Sequence, residues 1–324
     1  MKKLIALMLV LTMVLSFAAC GEKQEEKGSS LRDVADKVET DRPAKQETRT
    51  PETEESEEPE VETTQQPAKP EGGFTMEETV VVDNDECIIK ITGIEVNDFD
   101  EVVLKLYLEN KSADKTYMFS VNDATVNGVG TSPLFATEVA PGKKAMKDMS
   151  FWDSALEENG ITRFTDIGLS FWVHDANDFM ADPVAEPSLH VYPYGEDQAE
   201  RFVRERKDTD IVLVDNEDAT VLVIGTEYDE IWGQSVKLYV ENKTDTHMMC
   251  TIDEVSVNGF MVDPFFASEI APDSCGFTNI NWSNEHLEEN GISELEEIEG
   301  VFRLYDSDDW SAPDFFREKV SFQP

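Results

Sequence analysis

The chain states one pattern twice, and this repetition limits its fold more than any other feature. Tyr107-Leu-Glu-Asn-Lys111 returns as Tyr239-Val-Glu-Asn-Lys243, and Val126-Asn-Gly128 returns as Val257-Asn-Gly259. Pro133-Leu-Phe-Ala-Thr-Glu-Val-Ala-Pro141 returns as Pro264-Phe-Phe-Ala-Ser-Glu-Ile-Ala-Pro272, and Leu156-Glu-Glu-Asn-Gly-Ile161 as Leu287-Glu-Glu-Asn-Gly-Ile292. Tyr107 and Tyr239 stand 132 residues apart, whereas Leu156 and Leu287 stand 131 apart, so one residue is deleted between them. A register held over that length means two copies of one domain. Whatever the first copy folds into, the second must fold into as well.

The hydrophobic pattern inside the copy names the class. Along Glu101 to Glu109, Val102, Leu104, Leu106 and Leu108 face one way, and Val103, Lys105 and Tyr107 the other. Period two over that length is a strand with one buried face. Shorter runs recur at Val80–Val82, Cys87–Thr92, Thr116–Val121, Ala124–Val126, Met146–Trp152, Ile167–Val173 and Leu189–Tyr192. Asn127-Gly128 and Ala140-Pro-Gly142 supply turns. Asp153 to Gly160 reads as one or two helical turns, with an Asp or Ser cap and a terminal glycine. Eight or nine short strands with almost no helix predict an all-β fold, an antiparallel, immunoglobulin-like β-sandwich. The second copy keeps the alternation at Val236, Leu238 and Val240, then at Ile298, Phe302 and Leu304.

These readings place repeat one at residues 75–193 and repeat two at 209–324. The intervening 194–208 carries Arg201, Arg204, Arg206 and Lys207 around Phe202. The plainer expectation is a solvated linker; the alternative is that these cations dock on acidic domain surfaces.

Residues 1–19 read as an export signal, with Lys2 and Lys3, an apolar Leu4–Leu15, and Phe17-Ala-Ala19 before Cys20. The apolar run is too short for a comfortable membrane span. Its end resembles the bacterial lipobox, with Phe17 where leucine is usual. That resemblance implies cleavage before Cys20 and lipid on its thiol and new amino terminus; an ordinary secretory signal is the other reading. Residues 20–74 are expected to be a disordered acidic tether, because Glu, Lys, Thr, Gln and Pro bury too little surface to offset ordering entropy. As a random coil it would span on the order of 40 Å.

A lipobox, an acidic tether and domains reading YLENK, VNG, APGKK and FRLYD together resemble the surface lipoproteins of Gram-positive, clostridia-type bacteria. The resemblance covers signal, tether and both repeats. It implies an extracytoplasmic immunoglobulin-like module held at the membrane by lipid, and it brings no catalytic residue with it.

Composition bounds the partners. Sixty-nine acidic against 27 basic side chains leave a formal charge of −42. That field repels nucleic-acid phosphates, which removes a nucleic-acid role, and favours cations and basic partners. Four cysteines and four histidines are too few and too scattered for a structural zinc site.

Four sets of residues could carry chemistry. The paired acidic turns Asp83-Asn-Asp-Glu86 and Asp215-Asn-Glu-Asp218, and the matched Asp175/Asp178 and Asp306/Asp308/Asp309, have the hard oxygen ligands that calcium takes, although no stretch has EF-hand spacing. Solvated turn acids are the competing reading. Tyr107 and Trp172 in repeat one, and Tyr239 and Tyr305 in repeat two, point away from the buried rows. On neighbouring strands they would form an aromatic face for a glycan or extended peptide; otherwise they cover a secondary core or the contact between domains. Cys250 and Cys275 occur in repeat two only, so one disulfide after export is a candidate, against two unrelated substitutions. Cys87 reads as a small buried hydrophobe.

His174, His190, His247 and His286 are unmatched between repeats, and no G-x-S-x-G, H-E-x-x-H or phosphate-cradling loop occurs. The expectation is therefore a non-enzymatic, lipid-anchored envelope protein that binds a wall glycan or a protein, without a required cofactor. A structural spacer or assembly subunit is the first alternative, and an envelope hydrolase the second.

Overall fold

The alternating rows of each repeat become the inner faces of two sheets. The structure, a computed structural model, describes residues 73–151, 153–230 and 233–324. The export signal, Cys20 and nearly all of the tether lie outside the described residues, as do Trp152 and Trp232.

Repeat one contains β1 (Thr79–Asp83), β2 (Cys87–Val96), β3 (Val102–Asn110), β4 (Tyr117–Val126), β5 (Val129–Thr131), β6 (Ala136–Val139), β7 (Lys144–Phe151), the short helix α1 (Ser154–Glu158), β8 (Ile167–Asp175) and β9 (Ser188–Val191). Repeat two follows the same order with β10 (Ile211–Asp215), β11 (Ala219–Asp229), β12 (Gly233–Asn242), β13 (Met248–Val257), β14 (Phe260–Met261), β15 (Ala267–Ile270), β16 (Ser274–Trp282), α2 (Asn284–Glu289), β17 (Ile298–Asp306) and β18 (Phe316–Phe322). The first sheet runs β1-β2-β3-β7 in repeat one and β10-β11-β12-β16 in repeat two. The second runs β5-β4-β8-β9 and β14-β13-β17-β18, with β6 and β15 lying on β4 and β13. The chain is thus all-β, as two successive antiparallel sandwiches.

Inner rows decide the cores. Ile89, Ile91, Leu104, Leu106 and Leu108 meet Phe119, Leu169, Phe171 and Val173 across repeat one. Val221, Val223, Val236, Leu238 and Val240 meet Cys250, Ile252, Phe302 and Leu304 across repeat two. The short helices are held at their starts: Asp153 accepts from the Ala155 amide at 2.8 Å, and Ser283 from the His286 amide.

The repeated motifs turn out to be hydrogen-bonding devices. Buried Asn110 donates to the Lys115 and Val139 carbonyls and accepts from the Ser112 amide, tying the β3–β4 turn to β6. Asn242 does the same in repeat two, donating to Thr246, Ile270 and Ala271 carbonyls. The adjacent Lys111 reaches Asp83 at 2.6 Å, and Lys243 reaches the Asn216 carbonyl at 2.9 Å. Within the acidic turns, Asn84 accepts from the Glu86 and Cys87 amides, and Asn216 from the Asp218 and Ala219 amides. These turns are asparagine-pinned corners closed by a lysine. Asn127 and Asn258 are at positive φ, 52° each, before Gly128 and Gly259 at 80° and 83°, the backbone that a two-residue hairpin turn requires.

The candidate Cys250–Cys275 bridge is not made, in line with the reading as two unrelated substitutions. Both thiols are free and buried, Cys250 in the core of repeat two and Cys275 in the cluster that belongs to repeat one. Cys250 lies on an inner row and Cys275 on the outer face of β16, so a sheet separates their surroundings. Burial pushes the Cys250 thiol up to about 12 and the Cys275 thiol to about 11, which keeps both protonated and unreactive.

Candidate functional site

Several grooves of the described residues border the joint between the repeats. β16 of repeat two runs parallel to β5 of repeat one, with Cys275 opposite Val129 and the Cys275 amide donating to the Gly128 carbonyl at 2.9 Å. This contact fuses one sheet from each repeat into a single nine-stranded sheet.

The residues that differ between the repeats explain the joint. On the outer face of its first sheet, repeat one carries Lys90, Thr92, Lys144 and Met146; at the same places repeat two carries Leu222, Ile224, Cys275 and Phe277. The apolar set packs into the cluster of repeat one together with Tyr239 and Phe202. Phe202 meets Phe277 at 6.0 Å, and Tyr239 meets Phe277 at 5.5 Å. The segment between repeats is therefore anchored at Phe202 and Arg204, while Arg201, Val203, Arg206 and Lys207 between and beyond them stay exposed, as the plainer expectation has it. The Phe202 amide donates to the Asn127 carbonyl at 2.8 Å. Arg201 reaches Asp273 at 2.9 Å, Arg206 reaches Asp215 at 3.0 Å, and Arg204 forms a buried two-pronged pair with Asp210. The basic residues read from the sequence are the clasps of this segment.

On one side of the joint lies a groove of about 660 Å³. α1 contributes Ser154 and Glu158, the outer faces of β12 and β16 contribute Lys237, Phe277, Asn279 and Asn281, and the loop before β15 contributes Phe265 and Phe266. Phe265 is 60 % exposed and stacks on the His286 ring at 6.3 Å. Its backbone pairs both ways with Asn281, which holds the ring at the rim. Lys237 lies 3.3 Å from both Glu158 of repeat one and Glu227 of repeat two. Burial opposes its charge, but the two carboxylates outweigh burial and hold its pKa above the usual lysine range.

On the other side, His247 bridges the repeats. Its Nδ1 lies 2.9 Å from Asp308 and its Nε2 3.2 Å from Asp123. Burial disfavours the charged ring, but the Asp308 hydrogen bond and the Asp123 charge outweigh it and raise the pKa. A raised histidine pKa contributes stability that is fully present below the unfolded value and lost as pH rises through the folded one. His247→Gln should therefore cost about 1 kcal/mol in acid and progressively less as the medium becomes alkaline. Urea unfolding at a series of pH values checks this; an equal loss at every pH would remove the charged bridge. His190 pairs with Asp166 at 2.6 Å beside a smaller groove of about 340 Å³, which also contains Ser170, Ser188 and His247. The two serine hydroxyls lie 2.8 Å from each other.

The candidate aromatic pairs do not assemble. Tyr107 is on β3 and Trp172 on β8, in opposite sheets of the sandwich, and Tyr239 on β12 and Tyr305 on β17 are divided in the same way. Tyr107 donates to Glu109 and lies under the Lys90 and Lys144 ammonium groups, 5.9 and 5.8 Å from its ring centre. Trp172 stacks on buried His174 at 4.0 Å with Phe179 against its edge. Burial pushes the His174 pKa down. Tyr239 is buried at the joint, as the alternative reading had it. Tyr305 lies beneath the Arg303 guanidinium at 4.1 Å and beside Trp310. Residue parity gave directions correctly; sheet membership, which parity does not carry, separated the rings.

The candidate calcium carboxylates are engaged with the protein itself. Asp175 accepts from the Asn177 amide and faces Lys115 at 3.7 Å, and Asp178 accepts from the Met180 amide. Asp306 accepts from the Asp308 and Asp309 amides, Asp308 holds His247, and Asp309 accepts from Ser311. Among the described residues no group of three or more candidate ligands converges as a metal site.

Phe265, Asn279 and Asn281 escaped the sequence reading. The repeated Pro-x-Phe-Ala motif did mark the loop, and Leu134 at the position of Phe265 is fully exposed, but only the joint makes that loop one wall of a groove.

No protein-family model and no curated protein matches the chain. Among solved structures, the YadV chaperone is 10 % identical over 74 % of this chain and 100 % of its own, with a TM-score of 0.23. A red sea bream transglutaminase is 8 % identical over 76 % of this chain and 31 % of its own, with a TM-score of 0.21. Among the described residues no helix is long and apolar enough to cross a membrane.

Proposed function

We propose that this protein is a lipid-anchored, extracytoplasmic binding module of the cell envelope, and that its ligand lies in the Phe265 groove. The reading rests on one observation: an open groove with an exposed aromatic ring at its rim and outward-facing amides, Asn279 and Asn281, along its floor. Flat aromatic surface beside amide donors and acceptors suits a chain of neutral hydroxylated rings, a wall glycan, better than an anionic polymer. Glu158 and Glu227 flank Lys237 and neutralise the groove's cation. We read the protein as non-enzymatic, since the sequence carries no G-x-S-x-G, H-E-x-x-H or phosphate-cradling motif. Anchoring at Cys20 and the tether would place the groove away from the bilayer. A protein ligand is the second choice.

Co-sedimentation of the full-length chain with purified wall sacculi tests this. Phe265→Ala should weaken saturable pelleting by roughly tenfold, about 1.4 kcal/mol, while Trp172→Ala leaves it unchanged. Absence of pelleting, or equal pelleting of Phe265→Ala and the unaltered chain, would overturn the glycan reading.

A further inference from the structure

The edge with which repeat one holds repeat two recurs in repeat two, where no other strand of the described residues covers it. In repeat one that edge is β5, where Val129 is buried beneath Cys275 of β16. The matching edge is β14, where Phe260 is 51 % and Met261 66 % exposed. The element that would cover it has a counterpart too. The place of β16 is taken in repeat one by β7, which lies at the edge of its sheet with Met146 63 % exposed. A short open edge beside apolar side chains is a template for another strand, and the fold itself shows what such an edge accepts.

The substitutions at the two free edges are complementary. Around the accepting edge, Asn122 and Ser132 of repeat one are replaced by Asp253 and Asp263 in repeat two, while Asp123 and Glu158 keep their acidity as Glu254 and Glu289. On the docking strand, Ser274 and Cys275 of repeat two correspond to Lys143 and Lys144 in repeat one, and Lys237 to Lys105. Asp253, Glu254, Asp263, Glu289, Lys143 and Lys144 are all exposed. The apolar joint inside the chain thus has a charged counterpart, with added carboxylates around β14 and the added Lys143 and Lys144 at β7, where Lys144 also faces Glu109 at 3.2 Å. Lys105, which lies 2.7 Å from both Glu95 and Asp148, stands where Lys237 stands between Glu227 and Glu158, and Glu289 stands where Glu158 does.

We propose that the protein associates head to tail with a second copy of itself, β7 of one chain seating parallel to β14 of the next. Each chain then offers one used and one free edge, so association is heterologous and continues as an open series rather than closing as a symmetric dimer. Contacts between lysines and exposed carboxylates make it weak and sensitive to salt. The association goes beyond the binding function and does not depend on it.

Sedimentation velocity of the full-length chain, at concentrations up to about 1 mM where weak specific contacts register, is the first measurement. A mass series that grows with concentration and shrinks with added salt is expected. Phe260→Asp removes the accepting edge and Lys144→Glu the docking edge, so each variant alone should stay monomeric. Mixed, they should form a dimer that grows no further, because Lys144 of the first variant still meets Phe260 of the second. That rescue also shows both variants to be folded. A monomer at every concentration, a series indifferent to both substitutions, or a mixture without dimer would each overturn the proposal.

Discussion

Replacing Trp282 with alanine should lower the unfolding free energy by roughly 3–5 kcal/mol, the range for a fully buried aromatic truncated in a core that relaxes only in part. Trp282 closes the inner row of β16, has no exposed surface, and donates its indole N–H to the Val262 carbonyl at 3.0 Å. The backbone is fitted closely around it: a side chain at Gly233, which adopts φ +92°, would strike the Trp282 carbonyl. Repeat one has Phe151 at this place, packed edge-on to Phe164. Trp282→Phe should therefore keep most of the packing and lose mainly the hydrogen bond, at about 1–2 kcal/mol. Urea unfolding followed by far-ultraviolet circular dichroism measures both. A near-equal cost for the two substitutions would mean that the bond to Val262, rather than ring volume, holds this end of the core.

Asp210→Ala should cost about 3–5 kcal/mol, because it strands a buried cation. The Arg204 and Asp210 side chains are 8 % and 1 % exposed. Their two nitrogen–oxygen contacts are 2.6 and 2.8 Å, and the Lys207 amide donates to the same carboxylate at 2.7 Å. Beneath the guanidinium lies the Tyr239 ring at 5.7 Å, so the pair seals the docked segment over the joint. The Arg204 hydrogen bonds hold the Asp210 carboxyl below its ordinary range despite burial. A depressed carboxyl pKa contributes stability that is present above the unfolded value of 3.8 and lost as pH falls through the lower folded value. Acid unfolding of the unaltered chain should show this loss, and Asp210→Asn should lack it. Removing both partners, as Arg204→Met with Asp210→Ala, should cost far less than Asp210→Ala alone, since no charge is then left unpaired. Equal costs for the single and double replacements would show that the pair does not act as a unit.

Most of the architecture was legible because it depends on local rules. Alternation at Val102–Leu108 and Ile167–Val173 can bury one face only as strands, and the Asn-Gly pairs supply the positive φ of tight turns. The duplication made each inference checkable against its copy, so nine strands and a capped helix in the same order in both repeats follow from one pattern. The repeated Asn-Lys of the YLENK motif was visible as a signature; its role was not, because Asn110 meets the Val139 carbonyl from far along the chain.

What the sequence determined by itself is the fold class, the twofold repetition and the direction in which each strand residue points, since these follow from neighbours along the chain. Only the tertiary structure decided which outward residues meet. Tyr107 and Trp172 share a direction rule but not a sheet, and Cys250 and Cys275 share a repeat but not a core. The groove beside Phe265 exists because β16 aligns with β5 and the Phe202 segment packs over their junction. Such contacts join residues from separate repeats through side-chain shape and charge, and periodicity in one strand holds no record of the surface across from it.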